Sequence, residues 1–219
     1  MIYAIGDIHG RSDLLRRAFD RIEAHAGAAP AHVICLGDYV DRGPDSRGVV
    51  DMLMAGPRRE GDRLTCLKGN HEALLIEYVA GRPRGQLSII ECGETVRTYG
   101  GEVPAAHLDW MGALPHLFET EHHLFVHAGF RPGVPLADQD ADEMIWIRAL
   151  FLDGDHDFGK HVVHGHTPHW LLKPEAAIVE RRPFRTNLDT GACWTGELSV
   201  GVFDDARPGG PLEILSITA

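Results

Sequence analysis

The sequence predicts an α/β layered fold, and three observations carry that expectation. Apolar strands and amphipathic helices alternate in the order β-α-β-α-β-α as far as Gly81. Each of those strands stops abruptly at a turn of glycine and polar residues. Beyond Gly101 the apolar runs are mostly short and extended, so the second half contributes more sheet than helix.

Taken in order, Ile2-Tyr3-Ala4-Ile5 runs into GDIHG. Behind it Ser12 is placed to cap a helix whose apolar face is Leu14, Leu15, Ala18, Phe19 and Ile22, closed by Gly27 and Pro30. Val33-Ile34-Cys35-Leu36 runs into GDYVDRG, and a helix through Val49, Val50 and Leu53 stops at Gly56-Pro57. Leu64-Thr65-Cys66-Leu67 runs into KGNHE, with a helix through Leu74, Leu75 and Tyr78 ending at Gly81. From Gly81 to Gly101 isolated apolar residues among glycines set up no period. Strands are expected at His123–Val126, His161–Val163, Ile178–Glu180, Leu198–Phe203 and Glu213–Ile217, and a helix at Asp140–Leu152.

A chain of 219 residues has room for one sizeable core and little for two. With no repeat, low-complexity tract or linker, a single domain over residues 1–219 is expected. A hydrophobic share of 44% and a charged share of 24% are ordinary for a soluble globular protein. The net charge of -11 argues against a nucleic-acid backbone as partner. Asp7 breaks the N-terminal apolar run too early for a signal peptide, and no apolar run of ~18 residues exists to span a membrane. Cys35, Cys66, Cys92 and Cys193 form no CxxC pair, and the first two read as small buried hydrophobes. A reduced, cytoplasmic protein is the expectation.

The chemistry is concentrated where strands end. Asp7 and His9 lie in GDIHG, Asp38 in GDYVDRG, Asn70 and His71 in KGNHE, His127 in VHAG and His166 in VHGHT. In open α/β sheets, ligands bind where strand carboxyl ends meet loops, so these residues can converge on one rim. Carboxylates with imidazoles suit divalent Mn, Fe or Zn, and the absence of cysteine from the turns argues against a structural zinc knot. Two carboxylates, an amide oxygen and three imidazoles are too many for one catalytic ion. They fit two ions sharing a carboxylate, able to hold a hydroxide between them and to clamp a phosphate.

GDIHG, GDYVDRG and GNHE, followed by His127 in HAG, Trp146-Ile147-Arg148, His164-Gly165-His166-Thr167 and Asp189-Thr190-Gly191-Ala192, resemble the phosphoprotein phosphatase family of metallophosphoesterases over nearly the whole chain. The compact length resembles the bacterial and bacteriophage lambda members. The resemblance implies two mixed β-sheets packed as a sandwich with helices outside. It implies that Asp7, His9 and Asp38 hold one metal ion, and that Asp38 bridges to a second held by Asn70, His127 and His166. It makes His71 the general acid, Asp41 its paired carboxylate, and Arg42 and Arg148 the phosphate-gripping arginines. Two departures stand out. HAG lacks the second glycine of eukaryotic members, and Ala192-Cys193-Trp194-Thr195 replaces a segment where relatives often carry a tyrosine and a glycine pair.

The expected activity is hydrolysis of phosphate monoesters, above all phosphoserine or phosphothreonine in proteins or peptides, and of small aryl phosphates in vitro. An alkoxide leaves poorly without a proton, and a histidine beside a carboxylate is suited to supply one. Forked guanidinium groups match phosphate oxygens in a way lysine cannot. Trp146 is expected to pack beneath Arg148, and His164 to sit near the site without a direct role. His122, His123, His161 and His169 read as solvated or structural, and Asp51 and Asp189 as helix-surface and turn groups. The cleft walls are assigned to Gly81–Gly101 and the Trp194 loop. The alternative on the same fold is a hydrolase of diadenosine tetraphosphate. That branch commonly lacks the Asp41 equivalent and reads GNHD, so both features here favour the phosphoprotein reading. Acidic charge disfavours a two-metal nuclease, and the full set of ligand positions disfavours a non-catalytic scaffold.

Overall fold

The structure is a computed structural model that describes residues 1–168 and 178–219; His169 lies outside the described residues. Strands β1 (Ile2–Ile5), β2 (His32–Cys35) and β3 (Arg63–Cys66) pair in parallel, with Ile5, Cys35 and Cys66 in register at their carboxyl ends. Strands β9 (Glu197–Phe203) and β10 (Glu213–Thr218) extend the sheet antiparallel beyond β1, giving the order β10-β9-β1-β2-β3. The second sheet has the order β4-β5-β6-β8-β7, from β4 (Leu117–Glu119), β5 (His123–Val126), β6 (His161–His164), β7 (Glu180–Arg181) and β8 (Arg185–Asn187). Its central strands β5, β6 and β8 are parallel, and β4 and β7 close the edges antiparallel. Two mixed five-stranded sheets flanked by helices match the expected class.

The first three strands read as continuous apolar runs because both faces are buried. Ile2, Ala4, Ile34 and Leu36 point inward and meet Phe125, Val163, Leu188 and Phe203 between the sheets. Tyr3, Ile5, Val33 and Cys35 point outward, against α1 (Ser12–Ala26), α2 (Ser46–Met54) and α3 (Asn70–Val79) through Leu14, Leu15, Phe19, Val50 and Leu75. Each fully buried aliphatic of this kind stabilises the fold by about 1.5–3 kcal/mol. On the far side of the second sheet, Leu124, Val126 and Val162 pack against Met144 of α6 (Ala141–Trp146) and Phe151 of α7 (Ala149–Leu152). Among the described residues no helix is long and apolar enough to cross a membrane. The four cysteines are free, with Cys35 buried and Cys66 partly so.

Several local expectations are corrected. Ser12 does not cap α1 but is its first helical residue, and its hydroxyl donates to Asp45 Oδ2 at 2.5 Å. Arg11 occupies the N-cap position instead, without a side-chain capping bond. Asp45 in turn accepts from Gly48 N and caps α2. The helix expected over Asp140–Leu152 is two helices, broken at Ile147 and at Arg148, whose φ is -130° and ψ -105°. The apolar period runs through the break, which is why the sequence conceals it. The strand expected at Ile178–Glu180 is Glu180–Arg181, set by its hairpin register with β8, Arg181 opposite Thr186.

Gly85–Thr98, inside the stretch with no period, is helix α4. Its buried residues are Ser88, Cys92 and Thr95, while Leu87, Ile89 and Ile90 face outward, so the apolar pattern points the wrong way. Helix α5 (Ala105–Ala113) completes the connection to β4. A last short helix, α8 (Ala192–Thr195), stands between β8 and β9.

Candidate functional site

The carboxyl ends of β1, β2, β3, β5, β6 and β8 face one rim, and the turns that follow them carry the expected residues. Among the described residues, five other than glycine have a positive φ: His9 (44°), Asp38 (54°), Asp41 (66°), Arg42 (67°) and His166 (68°). All five are residues the sequence singles out. Such backbone costs about 1–3 kcal/mol per residue and persists only where the surroundings over-determine it. Close backbone approach also demands glycine at two positions. A Cβ on Gly165 would lie 2.1 Å from Asp7 Oδ1, and one on Gly69 2.3 Å from Asp38 Oδ1.

Asp38 is the centre of the cluster. Its Oδ2 lies 3.5 Å from His9 Nε2 and 3.9 Å from His71 Nε2, and its Oδ1 lies 3.3 Å from His127 Nε2. His127 Nε2 is also 3.0 Å from Asn70 Oδ1. Asp38 Oδ1 accepts the His71 backbone N–H, at the positive end of α3. Asp7 accepts the His166 N–H with both oxygens at 3.1 Å. The rings of His127 and His166 stand 5.0 Å apart, and Trp146 packs edge-on against His166 at 6.2 Å. Among the described residues three sets have ligand atoms close enough to hold a cation, His9–Asp38–His71, Asp38–His127–His166 and Asp41–His71–Glu91, and Asp38 belongs to the first two.

The imidazoles are oriented by backbone carbonyls. His9 Nδ1 is 2.8 Å from Val40 O, and His127 Nδ1 is 3.0 Å from Leu36 O. Donation from Nδ1 turns each Nε2 toward Asp38, the arrangement in which a histidine serves as a ligand. Charge in the cluster is strongly coupled. Burial, reinforced by Asp189, holds the Asp7 carboxyl well above its ordinary range. Asp38 is held well below its range, because His127, His71 and His9 outweigh its burial. His127 is pushed up to about 9, the pull of Asp38 exceeding the effect of burial. His9 and His166 are pushed well down by burial and by the neighbouring imidazoles.

Around His71 the geometry changes. Its Nδ1 lies 2.7 Å from Asp41 Oδ2, and Asp41 accepts from Thr95 Oγ1 and lies near Cys92 Sγ, both on α4. Burial works against the protonated ring, yet Asp38 and Asp41 raise its pKa above the usual histidine value. Arg42 reaches in with NH1 2.9 Å from His9 Nε2, while its Nε donates to Glu91 Oε1 at 3.2 Å. Arg148, at the break before α7, donates to Thr167 Oγ1 at 3.2 Å and lies within electrostatic reach of Asp38, Asp189 and Arg42. The ten residues singled out by the sequence therefore share one rim.

Some contributors were not legible. Glu72 is fully buried and accepts the backbone N–H groups of Asp38 (2.9 Å), Tyr39 (2.7 Å) and Gly69 (2.9 Å). One carboxylate thus pins the second turn to the third. Its place three residues after the Gly69 cap was the available signal. Burial and the charge of Asp38 raise it to about 7. A Glu72→Gln variant faces these donors with an amide that has one acceptor oxygen. Its affinity for a divalent ion should fall about 10–100-fold, the range for partners that orient ligands, as read by metal titration. Unchanged affinity would show that the turns hold without it.

Asp189 is more than a turn residue: it is buried near Asp7, raised to about 6 by burial, and its Oδ1 accepts Gly191 N at 2.9 Å. Asp51 is exposed, pairing with His107 Nε2 at 3.2 Å. His164 is buried and held neutral, its pKa lowered to about 3 by burial and Arg185. His123 and His161 are buried and structural, and His122 is half-buried near Glu121.

Comparison with known proteins agrees with the fold. The family model for calcineurin-like phosphoesterases matches residues 1–196. A symmetrical bis(5'-nucleosyl)-tetraphosphatase of Janthinobacterium sp. (strain Marseille) is 31% identical over 135 residues, covering 59% of this chain and 44% of that protein. The matched stretch therefore spans less than half of that relative's length. A crystal structure of a candidate diadenosine tetraphosphatase superposes with a TM-score of 0.70 at 23% identity, covering 100% of this chain and 93% of the other. A protein serine/threonine phosphatase of Saccharomyces cerevisiae gives 0.58 at 15% identity, covering 100% and 79%. At these identities the two structures speak to the fold.

Proposed function

The chain belongs to the calcineurin-like phosphoesterase family, and from that premise we propose that it hydrolyses symmetrical dinucleoside tetraphosphates with two divalent metal ions. This reverses the order in which the sequence ranked its two substrates. The curated relatives support the tetraphosphate, and the observation that carries the phosphoesterase site is Asp38, shared by two ligand sets and flanked by two arginines.

Members of this family use a binuclear divalent metal centre, and the donors here fit one. His166 Nε2 is buried without a hydrogen-bond partner. Asp7, Asp38 and Asp189 are buried close enough to raise the Asp7 pKa, a repulsion that cations relieve. Asp7, His9 and Asp38 would hold one ion, and Asp38, Asn70, His127 and His166 the other. An oxygen-and-imidazole set suits manganese, with iron or zinc as alternatives. Two such ions, when bound, neutralise phosphate charge and lower the pKa of water toward ~7.

The chain's own groups supply the rest. Arg42 and Arg148 fork onto non-bridging phosphate oxygens and align the phosphorus for in-line attack. One water and one tetraphosphate then give two nucleoside diphosphates: a P–O bond forms to water and the central bridging P–O bond breaks. A nucleoside diphosphate leaves readily, so His71 matters less for this substrate than for an alkyl ester.

A second reading, phosphomonoester hydrolysis including phosphoserine and phosphothreonine, is favoured by the 2.7 Å contact between His71 and Asp41. A protonated imidazole poised by a carboxylate has most to offer a poor leaving group. Turnover of diadenosine tetraphosphate, a phosphoserine peptide and p-nitrophenyl phosphate under one metal condition separates the readings. The tetraphosphate should show the highest kcat/KM. A phosphopeptide turned over faster would place the monoester reading first.

A further inference from the structure

Trp194 stands on α8, a turn of helix held between Gly191 and Gly196, both in the left-handed region with φ of 68° and 73°. The segment is tied down from several sides. Asp189 Oδ1 accepts Gly191 N at 2.9 Å, Arg11 NH1 donates to Ala192 O at 3.0 Å, and Thr195 Oγ1 donates to Thr190 O at 3.1 Å. The indole is nevertheless 53% exposed. It lies 4.9 Å from the guanidinium carbon of Arg42 and 6.4 Å from the ring of His9. On the α4 side of the same arginine, Glu91 holds its Nε, and next to Glu91 on that helix Leu87 and Ile90 are 69% and 63% exposed. Arg42 therefore lies between the half-exposed indole and Glu91 of α4.

A large aromatic ring on a tied-down segment, half-exposed and adjoining an arginine placed to meet phosphate, has the properties of a stacking surface. A phosphate on Arg42 brings whatever the phosphate carries toward the indole. We propose that Trp194 is a specificity-determining residue on which an aromatic or heterocyclic ring of the substrate stacks, a nucleobase in a dinucleoside polyphosphate or the ring of an aryl phosphate. The proposal rests on the phosphoesterase reading of this site and extends it to what lies beyond the phosphate. Indole stacking is tolerant of ring identity, because every base offers a π-face.

The test compares matched pairs of substrates, with and without a ring: p-nitrophenyl phosphate against methyl phosphate, and diadenosine tetraphosphate against inorganic tetraphosphate. For Trp194→Leu, kcat/KM on the ring-bearing member of each pair should fall about 10-fold or more, mostly through KM, while the ringless member falls less than about threefold. Trp194→Phe should recover most of the loss. Calorimetric binding of AMP should weaken in Trp194→Leu by a similar factor, and binding of inorganic phosphate much less. Equal losses on ring-bearing and ringless substrates overturn the proposal, because they mean that Trp194 only holds Arg42 in place. If the wild-type protein does not cleave diadenosine tetraphosphate, the tetraphosphate reading fails on its own. The p-nitrophenyl and methyl phosphate pair then still decides the stacking proposal.

Discussion

An Asp38→Ala variant should lose divalent-metal binding and hydrolysis together. The carboxylate lies within 3.5 Å of imidazole nitrogens from two different turns, His9 and His127, and belongs to two of the three candidate ligand sets. Removing it deletes a donor from both of those at once. It also leaves His127, now held up at about 9, without the anion that stabilises its proton. Affinity for manganese should drop well beyond the 10–100-fold expected when only an orienting partner is lost. Metal content of the purified variant and turnover of p-nitrophenyl phosphate read the two losses separately. A thermal melt with excess chelator shows whether the fold survives. Wild-type protein stripped with chelator should be inactive and recover with manganese. Full activity in the stripped protein would sink the two-metal reading.

The second large effect is expected at His71, with a dependence on the leaving group. If the imidazolium protonates the departing oxygen, His71→Asn should reduce kcat by roughly 10²–10⁴ on an alkyl phosphate such as phosphoserine. The loss should be much smaller on p-nitrophenyl phosphate or a dinucleoside tetraphosphate, whose leaving groups are weakly basic. The variant should keep two metal ions. This point matters because His71 Nε2 also lies 3.9 Å from Asp38, close enough to make the ring a candidate ligand with His9. Loss of one ion in His71→Asn would assign it that role instead.

The sign with pH follows from the shift. Asp38 and Asp41, against the effect of burial, raise the His71 pKa, so the acid form persists to higher pH and activity on alkyl esters declines as pH climbs through it. Asp41→Asn removes one of the two anions and should move that decline to lower pH. A decline that stays in place would dissociate Asp41 from the acid.

The metal-capable residues were legible because the signals that mark them are local. An apolar run that stops at Gly-Asp or Gly-Asn-His announces a strand carboxyl end, and strand ends share a rim whatever the rest of the fold does. Asp7, Asp38, Asn70, His127 and His166 could be listed without coordinates on that ground, as could the α/β class. Other features were invisible because they depend on what packs across the site. Helix α4 escaped notice since its buried residues are Ser88, Cys92 and Thr95, of which Cys92 and Thr95 lie against Asp41, while its large apolar residues Leu87, Ile89 and Ile90 face outward. Glu72 and Asp189 looked like ordinary cap and turn residues until burial set their acidity. Arg148 carried a family resemblance, but the helix break at which it stands lies under an unbroken apolar period.

By itself, then, the sequence determined the layered class, the strand ends and the donors in their turns, because hydrophobic period and glycine turns are properties of neighbours along the chain. Only the tertiary structure decided that donors from both halves meet on Asp38, that one buried glutamate locks two turns together, and that an indole lies beside Arg42. Those outcomes arise from burial, charge coupling and packing between segments far apart along the chain, as His166 is 159 residues from Asp7, and no local pattern encodes them.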